Sequence, residues 1–380
     1  MSKVIVIGAG MVGSAMAIDM AKKHEVTLTD ISLSVLKNVK TEHKELQILT
    51  LDVTDKDTLQ KTVKEFDLVI CAVPGFLGFS TLRAIIEAGK NVIDISFFSE
   101  NSLELDALAK QKNVTAIVDC GVAPGMDNII LGHYNEIMKL SDFECLVGGL
   151  PKEKKWPFSY KAPFSPIDVI EEYTRPARYV ENGHKVVREA LTDCDYVQFE
   201  KLGTLESFNS DGLRSIIDTM PHIPNMKEKT LRYPGHVEYV RALKESGFFS
   251  TDEIQVNGVG VRPLDFTSKI LFNEWKLEKN EEEITVMRIT LKGENANGQT
   301  EEITYDLHDE YCHKTRTSSM ARTTGYTATA AANLFLDGLF SEKGVFPPEL
   351  VGKHEACFKY FLNYLKDRDI HYIKTAKILS

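Results

Sequence analysis

Residues 3–14 constrain this chain more than any other stretch. Lys3-Val4-Ile5-Val6-Ile7 is a β-branched run of the kind that forms a buried parallel strand. It leads straight into Gly8-Ala9-Gly10-Met11-Val12-Gly13, after which small and apolar residues recur at helical spacing from Ser14 to Lys22. Strand, glycine turn and helix in that order give G-x-G-x-x-G a physical meaning. Gly8 makes the tight turn, Gly10 lets the backbone approach a pyrophosphate, and Gly13 lets the helix pack close to the strand. Met11 and Val12 open the helix, whose free N–H groups and positive dipole end suit phosphates. The next strand, Glu25 to Asp30, ends in an acid at the position that would hold a ribose 2′-hydroxyl. A 2′-phosphate would be repelled there, and Ile31 and Ser32 supply no arginine to offset the repulsion, so NAD is expected ahead of NADP. A glycine turn with no ligand is the plain alternative.

The rest of the chain extends this start. Up to residue 125 strands alternate with helices: Leu46–Leu51 ends in Asp52-Val53, Asp67–Cys71 runs into Ala72-Val73-Pro74-Gly75, and Asn91–Ser96 and Val114–Val118 follow. The expectation is an α/β protein with a Rossmann-type, doubly wound parallel sheet. Asp52 and Val53 would touch the adenine, although Asp52 would serve equally as a helix N-cap. Ala72, Val73 and Pro74 end the strand where the sheet order should reverse, beside the nicotinamide half, and Asp94 and Gly121 end the neighbouring strands. Residues 126–320 read as an inserted α+β domain carrying an open, mixed and mostly antiparallel sheet, with an Asn297-Gly298 hairpin turn. An open sheet needs cover, which points to a homodimer through that domain. Residues 321–380 read as a helical return onto the nucleotide domain, with Gly344–Pro348 as a turn.

Bulk properties narrow the partners. A net charge of −10 argues against nucleic acid, which needs a basic face. Apolar runs are too short for a membrane span. The first strand begins at residue 3, where a targeting signal would lie, and the six cysteines show no C-x-x-C, so a cytoplasmic protein with reduced thiols is expected. Neither a Tyr-x-x-x-Lys dyad nor a metal-ligand spacing occurs, so no metal is expected and the hydride chemistry belongs to the cofactor.

Polar clusters mark where a small substrate would sit. Tyr160-Lys161, Ser210-Asp211-Gly212-Leu213-Arg214 and Thr230-Leu231-Arg232-Tyr233-Pro234-Gly235-His236 lie among turn residues. Arg232 and Arg214 suit a substrate carboxylate, Tyr160 and Asp211 are further substrate-binding candidates, and His236 suits proton transfer. Both arginines would serve equally as interface ion-pair formers, and His236 as a helix cap. Asp94 and Asp127 are the carboxylates topology places nearest the nicotinamide; a plain N-cap accounts for Asp127 just as well.

Seven motifs together resemble the saccharopine dehydrogenase-like family over nearly the whole length, and within it the lysine 6-dehydrogenase branch. They are Ala72–Phe79, Gly121–Gly125, Gly148-Gly149-Leu150-Pro151, Ile170–Arg178, Ser210–Arg214, Thr230–His236 and Ala321–Gly325. The resemblance implies a homodimeric oxidoreductase acting on an amino-acid C–N bond. In the lysine branch the ε-amine is oxidised to an imine, ammonia leaves, and the aldehyde cyclises to piperideine-6-carboxylate. Glutamate-forming saccharopine reductases carry Leu-Asp-Pro-Gly where this chain has Val122-Ala123-Pro124-Gly125, and a cysteine where it has Val147. Saccharopine or opine-type imine reduction is the alternative, and a non-catalytic NAD-binding dimer the alternative of another class.

Overall fold

The computed structural model describes residues 1–164, 166–278 and 281–379. Strands β1 (Lys3–Ile7), β2 (Glu25–Asp30), β3 (Gln47–Thr50), β4 (Leu68–Cys71), β5 (Val92–Asp94) and β6 (Thr115–Ile117) alternate with helices α1 (Met11–Met20), α2 (Leu33–Glu42), α3 (Lys56–Val63), α4 (Gly75–Glu87) and α5 (Asp106–Gln111). Every pairing between these strands is parallel. The β-branched sequence of β1 explains its place at the centre. Val4 and Val6 face one helical layer, Ile5 and Ile7 the other, and all four are buried. The doubly wound sheet is the one the alternation predicts.

The second half builds a mixed sheet. After α6 (Met126–Ile137) come β7 (Lys139–Pro151), α7 (Pro166–Thr174), β8 (Ala177–Glu181), β9 (His184–Arg188), β10 (Asp195–Phe199), β11 (Gly203–Asn209), α8 (Ile216–Thr219), β12 (Asn225–Arg232) and α9 (His236–Glu245). A small hairpin, β13 (Ile254–Val256) with β14 (Val259–Val261), precedes α10 (Pro263–Glu274), β15 (Glu283–Glu294) and β16 (Thr300–Glu310). Strands run β10-β11-β12-β7-β15-β16 in order, with β12 and β7 parallel and the other neighbours antiparallel. Thr230 to Arg232 therefore lie inside a buried strand, where the sequence suggested a bend.

The C-terminal segment is more than a helical return. Helix α11 (Ser319–Leu336) does pack on α1, and Gly325 is what allows it: a Cβ there would stand 3.2 Å from Met16 Cγ. Then β17 (Gly344–Phe346), expected as a turn, adds a parallel strand beside β6, making seven in that sheet. After α12 (Pro348–Gly352) and α13 (Glu355–Lys366), β18 (Tyr372–Ile378) pairs with β16 at the edge of the other sheet. The chain end thus ties the two sheets together.

One face of the mixed sheet carries cross-strand ion pairs beside an apolar patch of Leu146, Leu150, Leu231, Ile284 and Val286. Lys227–Glu144 at 2.7 Å, Arg288–Asp306 at 2.7 Å and Lys292–Glu302 at 3.1 Å line it. All six cysteines are free, and no helix among the described residues is long and apolar enough to cross a membrane.

Candidate active site

One continuous cleft of about 660 Å³ runs along the carboxyl ends of the parallel strands and on to a floor formed by β7, β12 and residues 210–212 after β11. Its outer half is the glycine turn. Gly8 has φ +102°, and a Cβ on it would meet Ala72 O at 2.4 Å; a Cβ on Gly13 would meet Gly8 O at 1.9 Å. A Cβ on Gly10 would meet nothing within 4 Å, so the space above it is open to the cleft. The α1 N-terminus has no side-chain cap, which leaves its first N–H groups available. This room and these donors fit a dinucleotide pyrophosphate.

Asp30 borders the same cleft at the end of β2. Its carboxylate accepts from Ala9 N at 2.9 Å and Ser32 N at 2.8 Å, which fixes it against the glycine turn. Asp52 lies at the end of β3 and accepts from Thr54 N and Oγ1, while Asp55 is the residue that caps α3. Met11, Val12, Val53, Ala72, Val73, Pro74 and Gly121 also line the cleft. Asp94 does not. It is fully buried beneath Ser96, whose N–H it holds at 2.8 Å, and burial first of all pushes its carboxyl up to about 7. Ser96 takes its place in the lining.

The inner half is crowded with charge. Asp119, Asp168, Glu171, Glu172, Asp211 and Glu228 border it, against only Arg175 and Arg232. Four of these carboxylates are matched by arginines: Asp119 by Arg214 at 2.9 Å, Asp211 by Arg178 at 2.8 Å, Glu172 by Arg232 at 2.7 Å, and Glu171 by Arg175. Arg232 is spoken for on several sides. Its Nε donates to Tyr173 Oη at 3.2 Å, one terminal nitrogen to Leu231 O at 2.9 Å, the other to Glu172. Arg175 is different, because its Nη1 is buried with no hydrogen-bond partner while the residue borders the cleft.

Three further expected site residues fall outside the cleft. Arg214 turns toward the nucleotide domain, donating to Asp119 and to Phe98 O, and so joins the two halves of the fold instead of facing a substrate. Tyr160 packs behind Arg232, its ring centroid 4.4 Å from the guanidinium carbon. His236 sits in a shell of Phe158, Tyr160, Tyr173 and Trp275. It is hydrogen-bonded at Nδ1 to Phe158 O and at Nε2 to Tyr173 Oη, both at 2.9 Å. Phe158 O can only accept, so Nδ1 carries the proton and Nε2 receives the tyrosine's. Burial, then the Arg232 charge, lowers the imidazole to about 3. His236 is a neutral prop for Tyr173 and, through it, for Arg232. Sequence reasoning missed Arg175, Asp168, Glu171, Glu172 and Glu228. The Glu-Glu-Tyr-Thr-Arg run at 171–175 was visible as part of a motif, but its direction was not.

Residues 4–117 match the family described as Saccharopine dehydrogenase NADP binding domain, and residues 121–370 the one described as Saccharopine dehydrogenase C-terminal domain. Among curated proteins, carboxyaminopropylagmatine dehydrogenase of Synechocystis sp. is 22% identical, with 92% of each chain covered. Saccharopine dehydrogenase [NADP(+), L-glutamate-forming] of Saccharomyces cerevisiae is 24% identical over 91% of this chain and 93% of its own. The solved structure of apo saccharopine dehydrogenase (L-Glu forming) from Saccharomyces cerevisiae superposes with a TM-score of 0.80 at 21% identity, covering 99% of this chain and 100% of that one. That likeness establishes the fold.

Proposed function

We propose that this chain, which belongs to the saccharopine dehydrogenase family, oxidises a C–N bond of a small, net-cationic amino acid, with NAD as the preferred dinucleotide and the ε-amine of L-lysine as the favoured substrate group. The observation that carries this reading is the single cleft joining the glycine turn to an inner half where carboxylates outnumber guanidinium groups. A bound dinucleotide supplies the hydride acceptor. Gly8 to Gly13 hold its pyrophosphate, Asp30 its ribose hydroxyls, Asp52 and Val53 its adenosine end, and Ala72 to Pro74 with Gly121 its nicotinamide end. Asp30 disfavours a 2′-phosphate by charge, which supports NAD even though the curated yeast relative is named for NADP(+).

The charge balance sorts the substrates. L-lysine carries one carboxylate and two ammonium groups, so its net charge complements the acidic walls. Arg175, with its unpartnered donor, takes the carboxylate. Saccharopine carries three carboxylates and would meet like charge at Glu228. A second reading rests on the same acid surplus: a longer amine with an additional cation, of the kind named in carboxyaminopropylagmatine dehydrogenase. The test is reduction of NAD⁺ at alkaline pH with lysine, saccharopine and longer cationic amines. Lysine should turn over ahead of saccharopine. No reduction with any amine removes the reading, and a preference for saccharopine removes the charge argument while leaving the reaction class.

A further inference from the structure

Oxidising an amine by hydride transfer requires a neutral nitrogen, whereas a lysine ε-ammonium has a pKa near about 10.4. Some group on the cleft wall must take that proton, and neither His236 nor Asp94 reaches the cleft. Glu228 does. It lies on β12 with 4% of its surface exposed, yet it borders the cleft, and its Oε2 has no hydrogen-bond partner. Its carboxylate lies over Gly212: a Cβ on that glycine would stand 1.9 Å from Glu228 Oε1, so only glycine makes room for it. Behind it stands Asp127, fully buried at the start of α6. One Asp127 oxygen holds Gly125 N at 2.8 Å, and the other, Oδ2, has no partner. A carboxylate oxygen of each and the thiol of Cys145, the β7 neighbour of Glu228, lie within 4.8 Å of one another.

Two carboxylates this close, without a cation between them, cannot both ionise near neutral pH. We propose that Glu228, backed by Asp127, is the proton acceptor for the amine substrate, the pair holding one shared proton and presenting one negative charge to the cleft. This rests on the amine-oxidising reading. Burial raises both carboxyls, Asp127 to about 7; the Glu349 charge adds to Asp127, and the Asp127, Asp211 and Glu172 charges add to Glu228 against the Arg214 cation. A carboxylate so raised is a better base toward ammonium than an ordinary one. The ammonium N–H bond breaks and its proton goes to Glu228, leaving a neutral amine. The adjacent C–H bond then breaks with its electron pair passing as hydride to the oxidised dinucleotide, and the nitrogen lone pair forms the C=N bond. Water adds to the resulting iminium and releases aldehyde and ammonium. The single negative charge left on Asp127 and Glu228 before proton transfer attracts the substrate cation; once the proton is taken, that charge is gone.

A metal ion fits the same three residues poorly, because Asp127 already spends one oxygen on Gly125 and no imidazole among the described residues completes the set. The experiment uses the full-length protein. Glu228→Gln, nearly isosteric, should lower kcat by roughly 10²-fold to 10⁴-fold with NAD affinity unchanged. Asp127→Asn removes the neighbouring charge, so the acid limb of its kcat/KM profile should move to lower pH. Wild-type turnover and an unmoved profile in Glu228→Gln would overturn the assignment while leaving amine oxidation standing. Should wild-type protein oxidise no amine, the functional reading fails, and the pair is tested alone by infrared titration. A protonated-carboxyl band near neutral pH that disappears in Glu228→Gln supports the shared proton; no such band overturns it. Stoichiometric metal in the purified protein that is lost in Cys145→Ser overturns it as well.

Discussion

Gly10 and Gly13 differ by three positions in one motif, and the structure separates what each is for. Gly10 has φ −66°, an ordinary backbone conformation, and a Cβ on it meets no protein atom within 4 Å. Gly10→Ala therefore costs the free protein little. Replacing glycine by alanine at a helix N-cap loses about 0.5–1 kcal/mol, and the reduced freedom of the unfolded chain returns about 0.4–1 kcal/mol. The net change is near zero. The methyl group projects instead into the space a pyrophosphate would fill. Loss of one backbone hydrogen bond to a charged phosphate is worth about 1.5–3 kcal/mol, and about 1.4 kcal/mol is tenfold, so the NAD dissociation constant should rise by roughly 10-fold to 100-fold. Gly13→Ala is the reverse. Its Cβ would lie 1.9 Å from Gly8 O, a backbone atom that cannot swing away. Overpacking of that kind costs about 1–3 kcal/mol or more, and it falls on the apoprotein. Thermal and urea unfolding of both variants, without and with NAD, beside calorimetric titration of the cofactor, measure the two effects separately. An apo Gly10→Ala as destabilised as Gly13→Ala, or one that binds NAD at wild-type strength, would refute the assignment of the open space to the cofactor.

Asp30→Ser should weaken NAD by about 1–3 kcal/mol and raise the NADP/NAD ratio; calorimetric titration of both dinucleotides measures it, and an unchanged ratio places the ribose elsewhere. His236→Gln should loosen Tyr173 and Arg232 and raise KM while leaving the pH profile of kcat in place, whereas a lost acid limb would return the proton to the imidazole. Arg175→Lys keeps the charge but removes the planar fork, so kcat/KM should fall by at least about tenfold with NAD binding intact. Burial alone would push the Asp19 carboxyl up, but Arg368 and Lys22 outweigh it and hold it below its ordinary value. With the folded value below the unfolded one, its contribution is present above about pH 4 and is lost as pH falls through the folded value. Asp19→Asn, which strands Arg368, should cost about 3–5 kcal/mol by urea unfolding at pH 7.

The parallel half of the fold was legible because its signals are local. The runs at 3–7, 25–30 and 68–71 are apolar or β-branched, each is bounded by turn residues, and their strands follow in chain order. β17 was not legible: the three residues Gly344 to Phe346, followed by two prolines, resemble a turn, and only pairing with Thr115 to Ile117 makes them a strand. β18 carries Lys374 and Lys377 on an exposed edge, which hides it from any apolar period. β12 failed for the opposite reason. Glu228, Lys229, Thr230 and Arg232 are buried polar residues, so a central strand shows no alternation of hydrophobicity.

That same strand explains why the site was half read. The glycine turn and Asp30 announce themselves because backbone geometry and the next strand end lie within one βαβ unit. On the inner half, residue type was visible and direction was not. Arg214 and Arg232 were singled out as cations near turns, yet the one reaches across to Asp119 and the other is largely consumed by Glu172 and Tyr173. A buried arginine must find partners wherever it lies, so its presence in a polar motif says little about a substrate. The informative groups are those left without a partner, Arg175 Nη1, Glu228 Oε2 and Asp127 Oδ2. Leaving such atoms bare in a protein interior costs about 1–3 kcal/mol each. That cost is tolerable where a ligand completes the set, and whether a partner is missing depends on the packing of β7, β12 and α6 against one another, which no single stretch of sequence contains.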